Sequence, residues 1–274
     1  MPFETDGFFS SDAEGFRRSV RETEPFKAWF DYALGLNRLG FDTLRAVQTA
    51  LSDNRQIALN VQFVRVHQSF QSALILSERG LVPDARVVLR SAVEGAIAIH
   101  ALAKDAGFVE QMIEAHYRSQ RTQARVLLDK FSASFSVEEI ANMNKAIADA
   151  DAYQASRRKE LTEIKWEQVA EKHCPELYQL FYRDLSSDGT HATINAAERF
   201  LVVDGAGQIT DFKVVPDTQG LVDVLSAASL VFIWAAGPYA ETNGLVDKAA
   251  AINNRMAEFK ALPGAFPRES TRAS

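Results

Sequence analysis

Apolar residues recur along most of this chain at intervals of three and four, the spacing that lines one face of an α-helix. Over 25–51, Leu34, Leu39, Phe41, Leu44, Val47 and Leu51 form a broad apolar stripe. Pro25 stands near its start, where a missing N–H costs nothing. A second helix is predicted over 55–79, with Leu59, Phe63, Val66, Phe70, Ala73 and Leu74 along one side. Gly80 then suits a left-handed cap, and Pro83 the first turn of the next helix. That third helix, over 83–104, is apolar all round, with Val87, Leu89, Val93, Ile97 and Leu102 separated by small residues. Such a helix belongs in the middle of a bundle.

Helices follow over 108–131 and 136–160, the latter opened by a capping box of Ser136 and Glu139. Shorter ones are predicted over 165–173 and 175–186, with Ser186 to Thr190 as turn chemistry. Residues 199–215 alternate around Asp204-Gly205-Ala206-Gly207 and predict the one β-hairpin. A core helix over 218–236 and a more polar one over 243–261 complete the pattern. The fold class is therefore mainly α: a bundle of about seven or eight helices with one small β-hairpin insertion. Residues 1–24 are expected as a flexible arm, 25–262 as a single domain, and 263–274 as a disordered tail.

Composition narrows the function classes. The chain has 274 residues, 47% hydrophobic and 24% charged, with a net charge of −6. Those values suit an ordinary globular core and argue against a surface coated for nucleic acid. One cysteine, Cys174, excludes an intrachain disulfide framework and a four-cysteine zinc site. The acidic start lacks the pattern of a signal peptide, and the expected location is the cytoplasm. The apolar run from Val224 breaks at Gly237-Pro238 after about a dozen residues, short of a bilayer span. No phosphate loop, zinc helix or dinucleotide fingerprint is present, so no cofactor and no metal are expected.

Three polar constellations stand out. Arg90 and Glu94, four apart, put charges on a helix that is otherwise buried, which is costly unless they pair. They form either a structural ion pair or the wall of a pocket whose guanidinium forks a phosphate or carboxylate. Downstream, Tyr182-Arg183-Asp184-Leu185-Ser186 is followed by His191. Tyr178, Phe181 and Leu185 set an inward face, with Asp184 at its edge and Arg183 pointing away. Just past a glycine-containing turn, His191 is a candidate general acid or base. Arg118, Arg121 and Arg125 share one side of a helix. They suit either an RNA backbone or a solvated face laced by partners such as Glu114. His67, with Gln71 and Asn60, is expected as a satisfied, half-buried histidine.

The series Gly80-Leu81, Asp84-Ala85, Leu89-Arg90-Ser91, Glu94, then Trp166, then Tyr182-Arg183-x-Leu185-Ser186 and His191 resembles a widespread bacterial family, domain of unknown function 5677. The resemblance covers roughly residues 40–240. It implies a helical fold and importance for Arg90, Glu94, Ser186 and His191. A looser likeness is to HEPN domains, helical bundles that often act as metal-independent ribonucleases in bacterial defence. Their signature places four to six residues between an arginine and a histidine, whereas seven residues separate Arg183 from His191 here. That likeness implies His191 as acid–base, Arg183 as stabiliser of phosphorane charge, RNA as substrate and a homodimer. The alternative is a non-catalytic helical module that binds a partner protein or a small anionic ligand.

Overall fold

In chain order the elements begin with two short helices, α1 (Phe3–Asp6) and α2 (Ala13–Glu22). The long helices α3 (Phe26–Ala46), α4 (Asn54–Glu78), α5 (Val82–Lys104), α6 (Phe108–Phe131) and α7 (Val137–Arg157) come next. Then follow α8 (Trp166–His173), α9 (Pro175–Leu177), a π-helical turn (Tyr178–Tyr182), α10 (Arg183–Gly189) and α11 (Ile194–Glu198). Strands β1 (Leu201–Val203) and β2 (Ile209–Phe212) precede α12 (Leu221–Thr242) and α13 (Val246–Lys260). This computed structural model describes residues 3–48, 52–189 and 194–265. Among the described residues the architecture is mainly α with one antiparallel hairpin, as the periodicity predicts. Its helices are more numerous than expected because short segments between the long helices are also wound.

The bundle is built around α5, which packs against α4, α12, α10 and α8. Leu89, Val93, Ala96, Ile97, Ile99, Ala101 and Leu102 are fully buried, so the helix that is apolar all round does occupy the centre. Gly95 allows α4 to lie close: a Cβ there would meet Val66 Cγ2 at 2.6 Å. The face of α3 that enters the core meets the expected stripe only at its edge, where Leu39, Leu44 and Val47 pack partly buried against the core. Trp29, Ala33, Leu36, Gly40 and Thr43 are buried, whereas Phe41 is exposed. Gly40 decides this face, because the Phe232 ring occupies the space a side chain would need.

Several boundaries differ from expectation for physical reasons. Residues 13–22 wind into α2, although they were expected in a loose arm. Val20 is buried, and Arg17 and Arg21 both reach Glu78 on α4. At the other end, α12 runs straight through Pro238 instead of stopping at it. A proline frees the carbonyl four residues earlier, and His100 Nε2 donates to that Trp234 carbonyl at 3.0 Å. The resulting 22-residue helix is long and apolar enough to cross a bilayer, but most of it is buried inside the bundle. The segment 186–189 continues α10 rather than forming a turn.

Helices α6 and α7 form an antiparallel pair. The capping box at Ser136 and Glu139 forms as predicted. In the hairpin, Leu201 pairs with Phe212 and Val202 with Asp211, with a bulge before Val203. Gly80, at φ 75°, ends α4 and fits closely under the chain that leaves the hairpin. Any Cβ there would lie 2.8 Å from Pro216 Cβ and from the Asp217 nitrogen.

Candidate functional site

One face of α5 is not apolar. Arg86, Arg90 and Glu94 recur every four residues, so they stack on one side of the helix. Opposite them lie the π turn and α10. A π turn holds one residue more than an α turn and is frequent at functional sites. Here it leads Tyr182 into contact with α5, while Arg183, the next residue, is exposed.

The contacts form a continuous polar seam. Arg90 Nε donates to Ser186 Oγ at 3.0 Å, and Nη2 donates to the Tyr182 hydroxyl at 2.7 Å. The same Nη2 lies 3.0 Å from Glu94 Oε1. Tyr182 in turn donates to Glu94 Oε1 at 3.2 Å. Burial, and then the Glu94 charge, hold the Tyr182 hydroxyl above its ordinary pKa, so it stays a donor. On the far side, Arg65 of α4 reaches Glu94 Oε2 at 3.7 Å. One turn earlier along α5, the buried Arg86 pairs with Asp184 at 2.6 Å.

The structure therefore brings together Arg90, Glu94 and Ser186, and places Asp184 beside them through Arg86. Arg183 faces outward from the seam, and His191 lies outside the described residues. Arg86 and Arg65 were missed. Arg86 had a signal, standing one turn before Arg90 on the same face. Arg65 had none, because nothing local to α4 marks it.

The basic stripe on α6 engages α7 and the chain that follows it. Arg118 pairs with Glu163 at 2.6 Å, while Arg121 and Arg125 both pair with Asp151. Glu114 pairs with Lys159, not with Arg118 as expected, and is almost wholly buried. His67 is fully rather than half buried; its Nε2 meets Asn37 Oδ1 at 2.8 Å, and burial lowers its pKa. Asn60 instead accepts from Tyr239. Cys174 is buried, which pushes its thiol up to about 12 and makes it a poor nucleophile. Among the described residues, no group of three or more His, Cys, Asp or Glu is placed to hold a metal ion.

A cleft of about 730 Å³ opens at the amino end of α5, between the Gly80–Asp84 turn and the β-hairpin. Asp184 lines it, so the cleft meets the polar seam at that carboxylate. Its volume lies in the range of small-molecule sites.

Fold and site together define a helical bundle whose central helix carries a charged, partly exposed seam against a neighbouring helix. The chain belongs to a family of unknown function, DUF5677, whose model matches residues 56–209, more than half of the sequence. That span holds both sides of the seam. No curated protein and no solved structure matches the chain.

Proposed function

We propose that this chain is a metal-independent, HEPN-like enzyme that cleaves phosphate esters, with RNA as substrate, in bacterial stress or phage defence. The observation that carries the reading is the partly exposed edge of Arg90 within the seam. Three arginines (Arg65, Arg86, Arg90) face two carboxylates (Glu94, Asp184). Charge-assisted hydrogen bonds to phosphate are strong where water is partly excluded. Among the described residues Arg90 Nη1 makes no hydrogen bond, and a quarter of the side chain is exposed.

In this reading Arg90 holds a non-bridging phosphate oxygen. Ser186, Tyr182 and Glu94 fix the plane of its guanidinium. His191, five residues beyond Ser186, takes the proton of the ribose 2′-hydroxyl or gives one to the departing 5′-oxygen. The 2′-oxygen bonds to phosphorus as the bond from phosphorus to the 5′-oxygen breaks. The products are a 2′,3′-cyclic phosphate and a 5′-hydroxyl. Arg183 adds charge stabilisation from the exposed side, and the reading implies a cytoplasmic homodimer.

A second reading is a non-catalytic module for a partner protein or a small anionic ligand. It draws on the same seam, because Arg90, Tyr182, Ser186 and Glu94 largely satisfy one another, as a structural network would. The committed pairs of Arg118, Arg121 and Arg125 also favour it over an RNA track. Induced expression separates the two. The nuclease reading expects growth arrest with fragmented RNA, abolished by His191→Ala in protein that stays soluble and folded. Intact RNA with abundant soluble wild type overturns it in favour of the module.

A further inference from the structure

A helix face open to water is ordinarily polar, and the outward side of α4 is not. Between 61 and 75 its exposed residues are Val61, Val64, Arg65, Gln68, Ser72 and Ile75. The three aliphatic side chains among them are 57%, 39% and 54% exposed. The one charge, Arg65, reaches Glu94 on α5. Helix α7 shows the ordinary case. From 138 to 156 it exposes Glu138, Asn142, Lys145 and Asp149, and among the described residues there no large apolar side chain.

The α4 stripe is also symmetric. Val61 and Val64 stand seven and four residues before Gln68, and Ser72 and Ile75 four and seven after it. Those steps hold all five within an arc of about 80°. A contact between two copies about a two-fold axis must be self-complementary. An antiparallel crossing centred on Gln68 meets that condition: Val61 meets the partner's Ile75, Val64 meets the partner's Ser72, and the two Gln68 amides donate and accept across the axis. The size suits a dimer as well. Helix α4 has 25 residues, and with the adjoining side of α5, where Val87 is exposed, it offers a face of roughly 37 by 20 Å. That is close to the roughly 800 Å² per partner of a stable interface. We propose that the outward face of α4 is where this chain pairs with a second copy of itself, antiparallel about Gln68. The same symmetry keeps α5 and the partner's α5 on one side of the α4 pair, so both seams open on the same side of the dimer. The pairing goes beyond the functional reading, which implies a homodimer without a face, and it holds whether or not the seam cleaves RNA.

Sedimentation equilibrium on the full chain at micromolar concentration tests it. The expected mass is twice the 30.4 kDa of one chain. Gln68→Glu sets two carboxylates against each other on the axis and should weaken the dimer at least about tenfold; Gln68→Lys should do the same. Mixed in equal amounts, the two variants should restore the dimer, because each then meets the opposite charge. Val137→Glu, at a still more exposed valine on α7, should leave the dimer intact. Gln68 is exposed, so its variants leave the core untouched, and circular dichroism checks that they stay folded. A monomeric wild-type chain overturns the proposal, and so does a dimer that neither Gln68 variant weakens. A dimer that both variants break and their mixture does not restore overturns the two-fold at Gln68. A dimer that responds as expected in protein that leaves RNA intact keeps this interface and overturns the functional reading alone.

Discussion

Pro238 removes one N–H near the carboxyl end of α12, and His100 supplies another in its place. The Trp234 carbonyl would otherwise be buried without a donor, which costs about 1–3 kcal/mol. We expect His100→Phe to destabilise the protein by that amount in urea unfolding, and by less when Pro238→Ala restores the helical N–H. The pair should therefore show coupling in a double-mutant cycle. Burial, reinforced by Lys104, lowers the His100 pKa to about 4 from 6.5. Between those values the unfolded chain binds a proton that the folded chain does not. Stability should then fall as pH drops from about 6.5 to about 4, by at most about 3 kcal/mol. In His100→Phe this part of the pH dependence should vanish; an unchanged profile would contradict the assignment. Arg90 and Glu94 were visible in the sequence because charge on an apolar helix is conspicuous. His100 was not, because its partner is a backbone carbonyl 134 residues away.

Among the elements, the turn from α4 into α5 sets where the cleft wall sits. Gly80 ends α4 with its N–H on the Ser77 carbonyl, while the Leu81 N–H reaches Leu76. Its carbonyl accepts from Asp217 at 3.3 Å. Gly80→Ala meets two obstacles, a left-handed backbone and contacts of 2.8 Å to Pro216 and Asp217. We expect a loss of roughly 2 kcal/mol or more. Gly205→Ala, which meets open space at the hairpin tip, should stay within about 0.5 kcal/mol of wild type. Thermal unfolding of the two variants side by side checks this; equal losses would refute the packing account. Helix types and most boundaries were legible because periodicity and caps are local. The core face of α3 was not, since it is chosen by the approach of Phe232 to Gly40. Nor was α2, whose docking depends on Glu78 far along the chain, or the passage of α12 through Pro238.

The whole molecule is an acidic bundle with a charged seam built against its central helix. Burying charge against α5 is costly, and the fold offsets that cost with hydrogen bonds from α10 and the π turn. The sequence marked both halves of the seam separately. What it withheld was their junction, because the π turn and the contribution of α4 are tertiary facts. It also withheld the cleft, which exists only once the hairpin folds back over the start of α5. The central claim is that this seam serves metal-independent cleavage of RNA. The most direct measurement is incubation of purified protein with RNA in EDTA, followed by analysis of the ends formed. The account predicts fragments with 2′,3′-cyclic phosphate and 5′-hydroxyl ends, and a loss of cleavage of at least about a hundredfold in His191→Ala and in Arg90→Gln. Intact RNA with folded wild-type protein, or cleavage that survives both substitutions, would contradict it.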